Sequence, residues 1–429
     1  MSPVSDPSVP FPARATENNS SPGPPGGPSS GPADPAGLAA PYDPASSRKI
    51  LAVLWVLLFA TWSQFMIVAP LLPQISVRLA VPEVHLGWLI SGYAISMGVC
   101  TLFWGPISDR LGRKRLLMLA SGLMALVLFA HWWTHSYSAM LLMRILAGTV
   151  GGALTTGTLA AVGDYIPPSH RGWATGWIIS GFAAGQIFGV PAGAFLSGVM
   201  DDRLPFILLG LLMAAAGWLA WRWMPPLPPT PSISWPTMLM DMRRHLATPR
   251  LLAGCGVGVC LFGGMGLFVP FFPLWMERSL LLTSQQVAWV FSIGGVAVVI
   301  SSVVMGRLSD RIGRYGLIIF GSLGVGLFML ASPLLLHWPD GAYLLFALIM
   351  GCAAARGSAF RALQTELVPA GELGRYLSLS ASLENIGYAA GSALAGLLYV
   401  AFGFSAIAAA SAMTGLIVLV LVRGFLRPK

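Results

Sequence analysis

Apolar residues along this chain come in runs of bilayer length separated by short polar turns. Twelve such runs lie near 50–72, 86–106, 116–134, 139–162, 173–199, 204–223, 251–275, 286–306, 315–336, 342–363, 376–402 and 404–422. A helix crossing the hydrocarbon core needs about twenty mostly apolar residues, and Gly and Pro are tolerated there more than in soluble helices. The pattern therefore predicts an all-α polytopic membrane protein with twelve transmembrane helices. The longest polar interval, 224–250, opens with Met224-Pro225-Pro226-Leu227-Pro228-Pro229, ends with Arg243, Arg244 and Arg250, and separates six spans from six. Residues 1–48 are rich in Pro, Gly, Ser and Ala, hold no run that buries a core, and predict a disordered tail. That tail lacks the apolar region of a signal peptide, so the first span is expected to do the targeting. The expected division is a tail over 1–48, six-helix bundles over 49–223 and 251–425, and a linker over 224–250.

Composition narrows the class further. Hydrophobic residues make up 55% of the 429 and charged residues 10%, against roughly 25% charged in a soluble domain. Such a chain cannot hide its apolar surface in water, and its expected partner is the lipid bilayer. The net charge of +9 comes from basic residues scattered between the apolar runs rather than gathered on one module, which argues against nucleic acid. Cys100, Cys255, Cys260 and Cys352 fall inside apolar runs without metal-ligand spacing, and the six histidines do not cluster, so no metal or other cofactor is expected. His-Glu-x-x-His and phosphate-loop motifs are absent, and the chain does not read as an enzyme. A membrane sensor would carry a signalling domain, whereas the soluble extra here is the tail.

Positive residues stay preferentially on the cytoplasmic side of a membrane. With the amino terminus placed there, Arg78, Arg203 and Arg278 fall outside, Arg144, Arg356 and Arg361 fall within helices, and the other Lys and Arg residues lie inside. An even number of spans then predicts both termini in the cytoplasm, at the plasma membrane or at the inner membrane of a bacterium.

The chain also repeats itself. Gly105-Pro-Ile-Ser-Asp-Arg-Leu-Gly-Arg-Lys-Arg-Leu-Leu117 matches Gly306-Arg-Leu-Ser-Asp-Arg-Ile-Gly-Arg-Tyr-Gly-Leu-Ile318 at seven of thirteen positions, 201 residues on. At an offset of 202, Pro167, Gly172, Ser180, Gly185 and Gly189 align with Pro369, Gly374, Ser382, Gly387 and Gly391. Two pseudo-symmetric six-helix bundles follow, the usual architecture of transporters that alternate access around a central site.

The loop after the second span resembles the Gly-x-x-x-Asp-Arg-x-Gly-Arg-Arg/Lys signature of the major facilitator superfamily, and the resemblance extends over residues 50–425. Arg144-Ile-Leu-Ala-Gly148-Thr-Val-Gly-Gly152 is similar to that family's fourth-helix motif. Gly185-Gln-Ile-Phe-Gly189-Val-Pro191-Ala-Gly193 is similar to the fifth-helix motif of its efflux branches, in the form met in sugar-efflux and multidrug permeases. The resemblance implies a monomeric, alternating-access exporter of small organic molecules, drug-like or sugar-like, in exchange for protons. Import by a proton symporter or facilitator is the alternative. It also implies that Asp109 faces the amino end of span eleven and Asp310 that of span five, so that Gly105, Asp109, Arg110, Gly112 and Arg113, with Asp310, Arg311 and Arg314, form a cytoplasmic gate. The plainer reading is positive-inside anchoring, with Asp109 and Arg113 near enough to pair and Gly105 and Gly112 allowing a tight turn. Glycines at 181, 185, 189 and 193 strip one helical face of side chains, so that a neighbouring helix approaches closely and Pro191 adds a kink. Through the resemblance, that face is expected at the moving interface between the bundles.

A charge near the bilayer centre costs ~3 kcal/mol or more and so calls for a partner or a role. Glu384 is the carboxylate lying well within an apolar run. It sits ~12 Å in, against ~10 Å for Arg356 on the antiparallel neighbour, so the two are expected to pair, with Asn385 and nearby serines adding hydrogen bonds. Two readings stand: a fixed structural bridge, or a proton-sensitive pair, since apolar burial favours the neutral acid and an approaching arginine the ionised one. Arg361 reads as an interfacial anchor. Arg144, ~7 Å deep, is satisfied either by snorkelling and backbone carbonyls or by an anionic substrate group. The first span carries Gln64 where many proton-driven exporters of the family place an acid, so coupling would rest on Glu384 or on loop acids. The resemblance has helices one, four, seven and ten line the cavity, making Gln64, Arg144, Phe268, Phe271, Phe272 and Trp275 candidates for substrate contact, joined by Asn385 and Tyr388.

Overall fold

In hydrocarbon a backbone has no water to bond, so each apolar run satisfies its N–H and C=O groups internally as a helix. The computed structural model describes residues 44–227, 235–369 and 372–426, with the side chains at 44–46, 199, 235 and 306–312 outside the description. Its membrane-length helices are α1 (Ser47–Met66), α2 (Glu83–Leu111), α3 (Arg113–Trp133), α4 (Tyr137–Tyr165), α5 (Pro168–Gly198) and α6 (Leu204–Trp223) in the first half. The second half has α7 (Pro249–Ser279), α8 (Ser284–Met305), α9 (Arg314–His337), α10 (Gly341–Leu367), α11 (Leu373–Phe402) and α12 (Phe404–Leu426). No strand occurs among the described residues. Of the tail expected over 1–48, residues 1–43 lie outside the description, while 44–48 are already helical, the helix opening at Pro44. A proline is tolerated in a first turn because its missing N–H has no partner there. The linker expected over 224–250 contains a helix of its own, Trp235–Ala247.

Three spans are broken, each at a proline. The helix of α1 stops at Met66 and resumes as Val68–Leu79, because Pro70 offers no N–H to the Met66 carbonyl and its ring crowds that oxygen. The span predicted to end at 72 thus continues to 79. α7 is interrupted in the same way between Phe268 and Phe272, where Pro270 and Pro273 stand two hundred residues beyond Pro70 and Pro73. In α5 the residues Gly185–Gly189 form a single π turn ahead of Pro191, with Val190 N–H reaching back to Gly185 O. Pro191 has no N–H for the Ile187 carbonyl, and that oxygen instead accepts from Ser292 Oγ of α8 at 3.4 Å.

The two halves repeat in detail. Gly112 and Gly313 adopt φ of +82° and +91° at the turn after α2 and at the corresponding turn before α9, a backbone region that a side chain strains. Gly105, expected in that turn, lies within α2 instead, which runs on to Leu111.

Contacts between the halves gather toward the face opposite the chain ends. There α2 crosses α11 so closely that a Cβ on Gly87 would lie 2.1 Å from Ser392 O, and one on Gly396 2.6 Å from Val84 O. Ser91 Oγ donates to Ala389 O at 2.7 Å and Ser392 Oγ to Gly87 O at 3.0 Å. α5 meets α8 at Gly295, whose Cβ would lie 2.6 Å from Ile187 Cγ1. Glu83 and Arg278 add an ion pair between the halves at this same end. On the chain-end side, a Cβ at Gly105, Gly172, Gly176 or Gly374 would meet nothing within 4 Å. The close approaches between the halves thus lie away from the chain ends, and these glycines nearer the chain ends face open space.

Candidate functional site

Two buried polar clusters interrupt the apolar interior, one in each half. In the first, Arg144 of α4 is wholly buried and points at the α1 break. Its Nη1 donates to Gln64 Oε1 at 3.0 Å and to Gln64 O at 3.3 Å, and its Nε donates to Leu89 O at 3.4 Å. Its Cζ stands 4.5 Å from the centre of the Tyr93 ring, where a desolvated cation is held by ~2 kcal/mol. Gln64 completes the cluster by donating Nε2 to Tyr93 Oη at 2.8 Å. Backbone carbonyls satisfy part of the guanidinium, as expected, the Gln64 amide and the Tyr93 face satisfy more, and Nη2 has no partner among the described residues. Gln64 is therefore consumed by Arg144 and Tyr93 rather than offered to an open cavity. Tyr93 was not anticipated. The usable signal was a phenol in mid-span, which needs a partner when buried.

The second cluster corrects the expected pairing. Glu384 is 2% exposed, yet its partner is Arg361, with Nη2–Oε2 at 2.5 Å and Nη1–Oε1 at 3.0 Å, and not Arg356. Arg356 instead donates Nη2 to Leu261 O at 3.0 Å. Depth along a helix was the wrong criterion alone. Five residues at 100° each turn the helix through a full circle and ~140° more, so Arg356 and Arg361 face different neighbours. Gly321 of α9 lies beside Arg356, where a Cβ would come within 2.8 Å of Arg356 Cβ, and Gly258 of α7 lies beside Glu384. Ser380 Oγ (3.0 Å) and Gln364 Nε2 (3.3 Å) also bond Glu384 Oε1. Asn385, expected to help, donates to Ala381 O of its own helix. The buried member of the ion pair is the acid, while the arginine side chain is 48% exposed.

Phe268, Phe271 and Trp275 are buried in ring contacts within the second half rather than lining open space. Phe268 stacks on Phe272 at 4.9 Å, Trp275 on Phe404 at 4.4 Å, and Phe271 lies 5.4 Å from Tyr399. Tyr388 differs, since it meets Phe65 of the first half at 5.5 Å and so joins the two clusters' surroundings across the interface.

At the chain-end face, Asp109 and Arg113 pair at 2.5 Å, and Arg113 also binds Asp164 of α4 at 2.6 Å. The second half repeats this with Arg314 and Glu366 of α10. Asp109 thus engages its own half, whereas the amino end of α11 is gripped by the linker helix, through Asp241 with Arg375 and His245 Nε2 with Glu372 Oε2 at 3.1 Å. Arg110 occupies the last turn of α2, and the side chains of Asp310 and Arg311 lie outside the described residues.

The glycine stripe of α5 packs within its own half. Cβ atoms at Gly181, Gly185, Gly189 and Gly193 would meet Trp55 O, Ser63 Oγ, Ser63 Oγ again and Ile67 Cδ1 at 2.9, 3.0, 2.2 and 1.6 Å, all on α1 and its continuation. The stripe seats α1 rather than the opposite bundle, which α5 reaches through Gln186 and Ile187.

The family model of the Major Facilitator Superfamily matches residues 54–258 and 254–429. The multidrug resistance protein MdtG of Salmonella paratyphi C is 26% identical over 377 residues, spanning 85% of this chain and 92% of that protein. An uncharacterized MFS-type transporter, YceJ of Bacillus subtilis, is 25% identical over 283 residues, 64% of this chain and 70% of that one. Among solved structures, a D-xylose-proton symporter superposes with a TM-score of 0.72 at 17% identity, covering 90% of this chain and 98% of its own. The human organic anion transporter MFSD10 does so with 0.66 at 19%, covering 89% and 100%. At such identities the structural likeness shows the fold.

Proposed function

The chain belongs to the major facilitator superfamily of membrane transporters, and on that premise we propose that it exports small organic molecules by alternating access in exchange for protons. The direction is supported by the multidrug relatives and by the Gly185-to-Gly193 motif. The reading places the chain ends in the cytoplasm, so the inner cleft opens there, and a bacterial inner membrane suits the relatives.

One observation carries the coupling: Glu384 is buried deep in a span while the arginine that holds it is half exposed. A carboxylate in apolar surroundings takes up a proton when its cation leaves and releases it when the cation returns. On this reading the exchanged proton is assigned to Glu384, which Arg361 pairs and which Gln364 and Ser380 hold in place.

The test is transport of a lipophilic cationic dye in proteoliposomes with an imposed pH gradient. Wild-type protein should move dye against the proton flow, and Glu384→Gln should exchange dye without responding to the gradient. Gradient-driven accumulation by Glu384→Gln equal to wild type would remove Glu384 as carrier, and dye moving with the protons would reverse the direction proposed.

A further inference from the structure

On the membrane-facing surface of the first half, α3 and α6 leave a groove of about 480 Å³ lined by Met118, Gly122, Ala125, Phe129, Gly217 and Trp221. Its floor is small because the helices cross tightly there. A Cβ on Gly217 would lie 2.3 Å from Ser121 Oγ, and one on Gly210 2.8 Å from Phe129 Cε1. At Gly122, by contrast, a Cβ would meet nothing within 4 Å, so that position opens into the groove. Leu126 and Trp218 stand up beside it, 65% and 60% exposed. From Met118 to Phe129 the groove runs ~16 Å along α3, about the hydrocarbon depth of one leaflet.

The end of the groove nearer the chain ends is basic. Arg115 precedes Met118 and Gly122 by three and seven residues, which puts it on the same face of α3, and Arg222 follows Trp218 by four on α6. Both arginines are exposed, and among the described residues neither has a carboxylate partner. An apolar channel of one leaflet's depth, ending in two exposed guanidinium groups, matches a phospholipid in both of its parts.

We propose that this groove binds an anionic phospholipid, with one acyl chain lying over Gly122 and the phosphate between Arg115 and Arg222. A second copy of the chain suits it less. A two-fold axis along the membrane normal would bring each arginine opposite its counterpart at the same depth, gathering four positive charges on one seam.

The test uses the full chain in nanodiscs, titrated with brominated phosphatidylglycerol or brominated phosphatidylcholine, which quench tryptophan fluorescence on contact. Other exposed tryptophans, Trp133 and Trp289 among them, give a background of quenching by bulk lipid; above it phosphatidylglycerol should saturate at lower concentration than phosphatidylcholine, and this saturable component should vanish in the Trp218→Phe, Trp221→Phe double variant. Removing Arg115 and Arg222 as Gln should weaken phosphatidylglycerol about five-fold each and about thirty-fold together, the equivalent of ~1 kcal/mol per basic side chain at an anionic surface. Gly122→Leu puts a side chain into the groove from a Cβ that meets nothing within 4 Å, and should abolish the site while leaving the protein monodisperse. The proposal fails if the arginine variants bind phosphatidylglycerol like wild type, or if the two lipids saturate alike. It also fails if Gly122→Leu leaves the saturable component intact, whether or not that variant turns a dimer into a monomer.

Discussion

The pairing of Glu384 can be measured by double-mutant cycles that set Arg361 against Arg356. Arg361 gives the carboxylate two hydrogen bonds, at 2.5 and 3.0 Å, while Arg356 bonds the Leu261 carbonyl. A hydrogen bond to a charged group is worth ~1.5–3 kcal/mol when buried. Water reaches the half-exposed guanidinium and takes over part of that, so a coupling of ~2 kcal/mol is expected between Arg361→Met and Glu384→Gln. Methionine keeps the volume of the arginine stem, and glutamine keeps the hydrogen bonds from Ser380 and Gln364 within reach. For Arg356→Met with Glu384→Gln, two groups with separate partners, the coupling should stay below ~0.5 kcal/mol. Two kcal/mol is about thirty-fold in an equilibrium constant, well resolved by reversible unfolding in mixed micelles followed by fluorescence. A larger coupling for Arg356 than for Arg361 would refute the pairing and, with it, the idea that the exposed arginine controls the acid.

Two further outcomes follow from the packing. Gly87→Val places a Cβ 2.1 Å from Ser392 O, a backbone atom that cannot swing aside. The α2–α11 crossing should open and vesicle transport fall at least tenfold while the protein remains monodisperse, the overpacking costing ~1–3 kcal/mol. Tyr93→Phe strands the Gln64 amide in the interior and should destabilise the first half by ~1–3 kcal/mol, read as a fall of a few degrees in the unfolding temperature.

What the sequence discloses here is what periodicity and length encode. Twelve apolar runs became twelve helices, and the duplicated Asp-Arg-x-Gly-Arg loop marked two halves whose turns even share a left-handed glycine. Partner choice inside the bundle was not legible, because it depends on azimuth and on which helix lies alongside. Arg356 and Glu384 match in depth but face apart. The α5 glycines announce a close neighbour without saying that it is α1 rather than α8. Tyr93, 29 residues from Gln64, has no sequence relation to it that spacing reveals. The proline breaks in α1 and α7 sit at matching offsets, but only the structure shows the helices stopping there.

The π turn of α5 limits how far the halves can mirror each other. It arises at Pro191, and the aligned position in α11 is Ala393, inside an uninterrupted helix from Leu373 to Phe402. An irregularity written into the covalent chain cannot be handed to the other half when access changes sides. If access alternates as proposed, the opposite-facing form is therefore not this one with its halves relabelled: α5 should flex at one fixed point while α11 travels as a rod, and the two swings should be unequal in amplitude.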